Sequence, residues 1–102
     1  MTEFLVEFYL SRTDAAAFRR CAAQARLAAA KQTRLGMPVR YLRSIYLPED
    51  ETCFLLYEAE TAEAVHRAAT LAAVEVERVS EVAGDTRPGN GPAANPEDEE
   101  YA

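Results

Sequence analysis

Hydrophobic and polar residues alternate at the start of the chain. Between residues 2 and 10, one set of alternate positions is wholly apolar and the other is mixed; the apolar set is Phe4, Val6, Phe8 and Leu10. Because successive side chains of a strand point to opposite faces, this pattern predicts a β-strand with one face on a core. Residues 39–47, 53–59 and 74–82 predict three further strands.

Two alanine-rich segments alternate with these strands and predict helices. The first runs to about residue 34 after a start like a capping box, with the Ser11 hydroxyl at the cap and the Asp14 carboxylate three residues later. Gly36 is expected to end it in a left-handed conformation. The second covers residues 62–72 and begins after a cap at Thr61. The expected buried stripes are Phe18, Cys21, Ala22, Ala25 and Ala29 in the first helix, and Val65, Ala68, Ala69 and Ala72 in the second.

The order of these elements is that of the ferredoxin-like fold, βαββαβ. We therefore expect an α+β domain with a four-stranded antiparallel sheet and two helices on one face, in the style of a dimeric αβ-barrel. The second and third strands form a hairpin across the turn at Pro48. The fourth strand has no clear parity, because Val76 and Val79 lie on opposite faces unless a bulge intervenes.

The second face of such a sheet has no helix to cover it. It is expected to carry Leu5, Tyr9, Tyr41, Ile45, Leu55 and Tyr57, a set too apolar to remain exposed to water. The pattern therefore predicts a homodimer that pairs these faces, with a metal ion or a small molecule in the cleft between sheet and partner.

Composition and charge define the domain more closely. The 102 residues suit one domain, and the net charge of -6 is uneven: residues 85–102 hold five acidic residues and one Arg among many Gly and Pro. We expect a disordered acidic tail at 85–102 and a folded domain at 1–84. The alternative for the tail is a docking segment that ends in EDEEY, or one that folds back onto the basic first helix.

The same numbers exclude several classes of protein. The sequence has no run of about 18 apolar residues, so a membrane span is not expected. The first residues lack the basic leader of a secretory signal. Two Cys without close spacing suit a reducing cytoplasm. A nucleic-acid platform is not expected either, because Glu3, Glu7 and apolar side chains occupy the sheet face that would have to be basic.

Three stretches of the sequence resemble a small bacterial family that is common in actinobacteria. They are FLVEFYL, RYLRSIYLPEDETCFLLYEAETAEAVHRAA and VERVSEV, which together with the residues between them span most of residues 3–82. Members of that family include a nickel-binding protein, and the family is otherwise a domain of unknown function. The resemblance implies a ferredoxin-like fold, a dimer, and nickel or another divalent metal as a possible ligand.

The chain departs from this family at the positions where the family carries metal-binding side chains. A family His in the second strand is Arg43 here, a family His in the second helix is Ala68, and the family's third-strand Cys falls at Leu55. A guanidinium cannot ligate a metal, so Arg43 cannot replace the family's histidine. The donors that remain in the sequence are weak metal candidates. They are Glu7, Cys53 and His66.

Glu7 and Arg43 are the main candidates for chemistry on the uncovered face. With the third strand between them, they are expected roughly 10 Å apart at the backbone, from a strand spacing of about 4.8 Å. Glu7 would act as base or acceptor and Arg43 as an anchor for a carboxylate or enolate, or the two would form an interface salt bridge. The tyrosines would line the pocket, with Tyr57 as a third catalytic candidate. The predicted pocket is Glu7, Tyr9, Tyr41, Arg43, Cys53, Leu55 and Tyr57.

Three hypotheses of function follow from the sequence. The first is a cytoplasmic homodimer that binds a metal ion or a small molecule. The second is a small dimeric αβ-barrel enzyme of secondary metabolism, such as a cyclase, isomerase or cofactor-free oxygenase. The third is a structural or interaction module without a ligand.

Overall fold

The structure is a computed structural model that describes residues 1–83. Four strands and two helices follow one another along the chain: β1 (Thr2–Tyr9), α1 (Ala15–Arg34), β2 (Val39–Leu47), β3 (Thr52–Ala59), α2 (Ala62–Leu71) and β4 (Arg78–Glu81). A short 3-10 turn, Pro48–Asp50, joins β2 to β3. The predicted ferredoxin-like α+β fold is confirmed. The predicted tail, 85–102, lies outside the described residues.

The sheet is antiparallel with the strand order β2-β3-β1-β4. Pairing of β1 with β3 places Phe4 opposite Tyr57, Val6 opposite Leu55 and Phe8 opposite Cys53, and all six side chains are buried beneath the helices. The helices meet this layer mainly through alanines, namely Ala25, Ala28 and Ala29 of α1 and Ala64, Ala68 and Ala69 of α2. Such short side chains let the helix backbones approach the sheet closely enough to pack around aromatic rings.

The helix starts use one carboxylate and one hydroxyl. The backbone N–H of Ala17 donates to Oδ1 of Asp14 at 3.1 Å, so Asp14 is the N-cap of α1. The prediction of a cap at Ser11 was wrong, since its hydroxyl contacts Thr13 instead. Thr61 caps α2 as predicted, accepting from the N–H of Ala64. A side-chain oxygen at each cap satisfies an N–H that the helix itself cannot pair.

Both helices end in the same hydrogen-bonded motif. At the end of α1, Gly36 is left-handed with φ +102° as predicted, and the N–H of Met37 returns to Gln32 O. At the end of α2, Ala73 takes the left-handed position with φ 66°, and the N–H of Val74 returns to Ala69 O. These are Schellman motifs, one with glycine and one with alanine at the left-handed residue, and only the alanine is strained there.

The motif at the end of α2 also explains why β4 is shorter than predicted. Val74 is buried directly behind the turn and does not enter the sheet. β4 begins at Arg78, and Val79 lies opposite Val6 on the helix side. The ambiguous parity of Val76 and Val79 is thereby resolved, because Val76 precedes the strand.

A β-bulge in β2 changes the face on which its side chains lie. Tyr41 pairs with Tyr57, but the next pair is Arg43 with Leu56, so Leu42 is an extra residue. Tyr41 therefore lies on the helix side, whereas Arg43 and Ile45 lie on the uncovered side. The prediction that all three share one face was wrong, because a bulge shifts the alternation by one residue.

The predicted face of β3 was also wrong. Cys53, Leu55 and Tyr57 were expected on the uncovered side, yet each is completely buried against the helices. Phe54 and Leu56 take the uncovered side instead. Residues 53–57 are all apolar, so alternation alone cannot tell which set is buried.

No helix in the described part of the chain is long and apolar enough to cross a membrane. The cytoplasmic location stays a prediction.

Replacing Ala73 with Gly is expected to raise the free energy of unfolding by about 0.5–1 kcal/mol, because Gly adopts positive φ without a Cβ penalty. Chemical denaturation measures the change. Ala30→Gly, at an exposed position inside α1, is the matched control and should lower stability by about 1 kcal/mol. Equal losses in both variants would contradict the strain at Ala73.

Candidate functional site

The uncovered side of the sheet, called here the open face, has an apolar centre and a charged border. Register places Arg43, Leu56, Leu5 and Ser80 in one row, and Ile45, Phe54, Glu7 and Arg78 in the next. The central side chains Leu5, Ile45, Phe54 and Leu56 are half-buried by their neighbours. Of the predicted apolar residues, Leu5, Tyr9 and Ile45 do lie on this face.

Ion pairs join several of the charges on the open face. Arg78 Nη2 lies 3.3 Å from Glu7 Oε1, across the β1–β4 pairing. Arg40 Nη1 lies 3.1 Å from Glu58 Oε1, across the β2–β3 pairing. Arg43 has no salt-bridge partner among residues 1–83. It is therefore the arginine of this face whose charge the described part of the chain leaves uncompensated.

The structure does not bring Glu7 and Arg43 together. β3 lies between their strands as expected, but Arg43 stands one row away from Glu7, and Phe54 and Leu56 occupy the intervening strand. Glu7 pairs with Arg78 instead, a partner that sequence reasoning missed. The uncertain parity of the fourth strand left no signal that could have identified it.

The three tyrosines predicted as pocket walls lie in three different environments. Tyr9 is on the open face and 61% exposed. Tyr41 lies on the helix side, where its hydroxyl hydrogen-bonds Ser44 and the Arg26 guanidinium lies 5.3 Å from the centre of its ring. Tyr57 is wholly buried, its ring 5.9 Å from that of Tyr41 in an edge-on arrangement.

Tyr57 carries a hydroxyl with no hydrogen-bond partner among the described residues. Burial raises the pKa of this phenol above its ordinary value, and the neighbouring Tyr41 raises it further. A neutral, enclosed hydroxyl cannot reach a ligand on the open face. Of the three catalytic candidates, Glu7, Arg43 and Tyr57, two thus lie on one face without touching and the third lies inside the core.

Cys53 is enclosed in the core rather than placed at a pocket. Burial raises the pKa of its thiol to about 12, with a further contribution from Cys21 on α1. Since metals bind the thiolate, this environment disfavours Cys53 as a ligand. Cys21 packs at the border of the core, as its predicted stripe implied, and burial raises the pKa of its thiol as well.

His66 lies on the exposed side of α2, and the sheet separates it from the open face. The three weak metal candidates, Glu7, Cys53 and His66, therefore occupy the open face, the core and the helix surface. Within residues 1–83, no group of three or more His, Cys, Asp or Glu side chains is placed to hold a metal ion.

A groove that sequence reasoning missed lies between the end of α1 and α2. It has a volume of about 900 Å³ and is lined by Gln32, Leu35, Gly36, Met37, His66, Arg67, Thr70 and Leu71. At its base, Nε2 of the buried Gln32 donates to Ala64 O at 2.8 Å and ties the helices together. The available signal was that Leu27, Leu35 and Leu71 fall outside both predicted buried stripes.

Fold and open face together define a small ferredoxin-like protein in which no helix of residues 1–83 covers one sheet face, which charged side chains border. The sequence matches, over residues 4–82, the family described as nickel responsive protein SCO4226-like. The chain belongs to this family, which confirms the resemblance found in the sequence. The crystal structure of SCO4226 from Streptomyces coelicolor A3(2) has the same fold, with a TM-score of 0.66 at 22% identity over 82% of this chain and 99% of that one. No curated protein matches the sequence.

An aromatic disulfide reagent at pH 8 should modify Cys21 before Cys53, which is expected to react only when the protein unfolds. Because burial raises the pKa of Cys53, the unfolded chain loses this proton first as the pH rises above about 9, and stability falls from there upward. The single variants Cys21→Ser and Cys53→Ser show which thiol accounts for each rate of reaction with the disulfide reagent. Equal rates in the native protein would show that Cys53 is accessible.

Tyr57→Phe should leave the free energy of unfolding unchanged or raise it by up to about 1 kcal/mol, since the lost hydroxyl has no partner. Tyr46→Phe is the matched control: its hydroxyl donates to Leu10 O at 2.9 Å, so its loss should cost about 1 kcal/mol. Thermal and chemical denaturation compare the two. A larger loss for Tyr57→Phe would indicate a hydrogen bond to that hydroxyl.

Proposed function

We propose that this protein is a small binding protein that holds an anionic, partly apolar small molecule on the open face, in the cleft between two copies of the chain. The observation that carries the proposal is Arg43, a cation without a salt-bridge partner among residues 1–83, beside the apolar centre of that face. The family match supports a small binding protein in general.

The apolar centre supports the dimer. Leu5, Ile45, Phe54 and Leu56 come from three adjacent strands and form one contiguous patch, which Tyr9 and Leu47 extend at one end. Apolar patches of this kind on soluble proteins favour a partner or a ligand over water. A second copy would present the same patch, so pairing would bury apolar surface on both chains.

The charged border supports the choice of ligand. Glu7 and Glu58 already have arginine partners, and these pairs leave Arg43 available to an anion. Its planar guanidinium can bind a carboxylate through two hydrogen bonds while the apolar part of the ligand covers Leu56 and Phe54. A ligand of this kind matches both the charge and the apolar character of the face.

Nickel, which the family description names, does not fit the residues that the structure describes in a single chain. The candidates Glu7, Cys53 and His66 lie on different surfaces, Glu7 is engaged by Arg78, and the Cys53 thiol has its pKa raised to about 12. Arg43 cannot ligate a metal. The geometry therefore favours the small molecule over the metal ion, and it does not bring the enzyme candidates Glu7, Arg43 and Tyr57 into one site.

Arg43→Ala tests the proposal, with Arg40→Ala as the matched control, because Arg40 belongs to the same strand but is paired with Glu58. The probe is anilinonaphthalene sulfonate, an anion with aromatic rings. Loss of Arg43 should weaken its binding about tenfold or more, since a charged hydrogen bond contributes about 1.5–3 kcal/mol, while Arg40→Ala should change it little. Sedimentation velocity should find the dimer in both variants.

Two results of this comparison would contradict the proposed function. Equal binding of the probe by both variants would remove Arg43 from the site, and loss of the dimer in Arg43→Ala alone would make it an interface residue. Metal analysis of untagged protein gives a separate answer: a stoichiometric amount of nickel in the purified protein would replace the small molecule as the ligand.

A further inference from the structure

Three leucines at the junction of α1 and α2 are exposed to solvent. Leu27 is 70%, Leu35 75% and Leu71 46% exposed, although burying a large aliphatic side chain stabilises a protein. Leu35 and Leu71 line the groove, and Leu27 and Leu71 line an adjoining hollow of about 280 Å³. The three leucines therefore form one continuous apolar strip along the junction of the helices.

Cations alternate with these leucines. Lys31 lines the adjoining hollow, Arg34 immediately precedes Leu35, and Arg67 lines the groove from α2. Helix α1 carries five basic residues and no acidic one, namely Arg19, Arg20, Arg26, Lys31 and Arg34. On α2, Glu63 offsets Arg67, 3.6 Å away. The surface around the leucines is thus positive as well as apolar, and it suits an acidic segment with an aromatic side chain.

The same chain contains such a segment beyond the described residues. Residues 97–101 read Glu-Asp-Glu-Glu-Tyr, four consecutive carboxylates followed by the sole aromatic residue after position 57. Residues 84–102 as a whole hold five acidic residues and one Arg. This composition complements both the charge and the apolar strip of the groove.

The described chain also ends at the edge of the sheet where α1 ends. The N–H of Val82 donates to Glu3 O, beside the strand ends where Thr2 pairs with Ala59 and Ala59 with Val39. The end of α1 and the start of α2 connect to this same edge of the sheet. Residues 84–96 can span about 40 Å when extended, from about 3.3 Å per residue, and α1 is about 30 Å long. The acidic segment can therefore reach any part of the groove.

We propose that residues 97–101 bind the groove between α1 and α2 of their own chain, with Tyr101 against Leu35 and Leu71 and the carboxylates beside Lys31, Arg34 and Arg67. Tethering makes this contact intramolecular, so a modest interaction suffices to populate it. The contact would cover the apolar strip and would leave the open face available for its own ligand. It is independent of the function proposed above.

The test uses the full chain labelled with ¹⁵N, and compares it with the Glu99→Gln/Glu100→Gln variant. Neutralising these carboxylates should shift the amide signals of Leu35, Leu71 and Lys31 and lower the order parameter of the Tyr101 amide to below about 0.6. Glu49→Gln/Asp50→Asn is the matched control, because it removes two adjacent charges at the opposite end of the sheet. It should change none of these signals.

A reciprocal variant and salt complete the experiment. Leu35→Ser replaces an exposed side chain and should also release Tyr101. Raising the salt concentration from about 0.1 M to about 1 M should release Tyr101 as well, because it shortens the Debye length from about 10 Å to about 3 Å. Groove amides that do not respond to the charge-neutralised tail would overturn the proposal. Shifts that disappear on dilution would overturn it too, since they would assign the groove to a second copy.

Discussion

The pairing of β1 with β3 is the interaction on which the rest of the structure depends. By placing Phe4 opposite Tyr57 and Val6 opposite Leu55, it selects the buried layer of both central strands. A slip of one residue in β3 would turn Phe54 and Leu56 inward and expose Tyr57 and Cys53. The alanine faces of α1 and α2 fit this buried layer, because their short side chains leave room beneath the helices for the rings of Phe4, Phe8 and Tyr57.

This register also separates the molecule into two surfaces with different chemistry. On one side of the sheet, alternate residues leave an apolar centre with a charged border. The border consists of Arg40, Arg43, Arg78, Glu3, Glu7 and Glu58, of which Arg40 pairs with Glu58 and Arg78 with Glu7. On the other side, the outer surface of the helices carries the excess positive charge of α1 and an apolar groove. The two sides of the sheet therefore differ both in charge and in the arrangement of their apolar side chains.

Membership of the nickel-responsive family and the residues of this member point in different directions. The fold is shared with SCO4226, but among residues 1–83 the candidate metal ligands Glu7, Cys53 and His66 lie in separate environments. Arg43 occupies the place where the resemblance led us to expect a histidine. Exchange of an imidazole for a guanidinium keeps a polar side chain on the sheet while changing its preference from a cation to an anion.

The sequence by itself determined the order of the elements, most of their bounds, the cap at Thr61, the left-handed Gly36 and the buried stripe of α2. These depend on local periodicity and on residues with strong conformational preferences, so they can be read along the chain. Tertiary structure alone decided the faces of β2 and β3, the partner of Glu7 and the groove between the helices. Residues 53–57 are uniformly apolar and the bulge at Leu42 follows from pairing with β3, so only contacts between distant segments determine which side chains meet the helices and which lie on the open face.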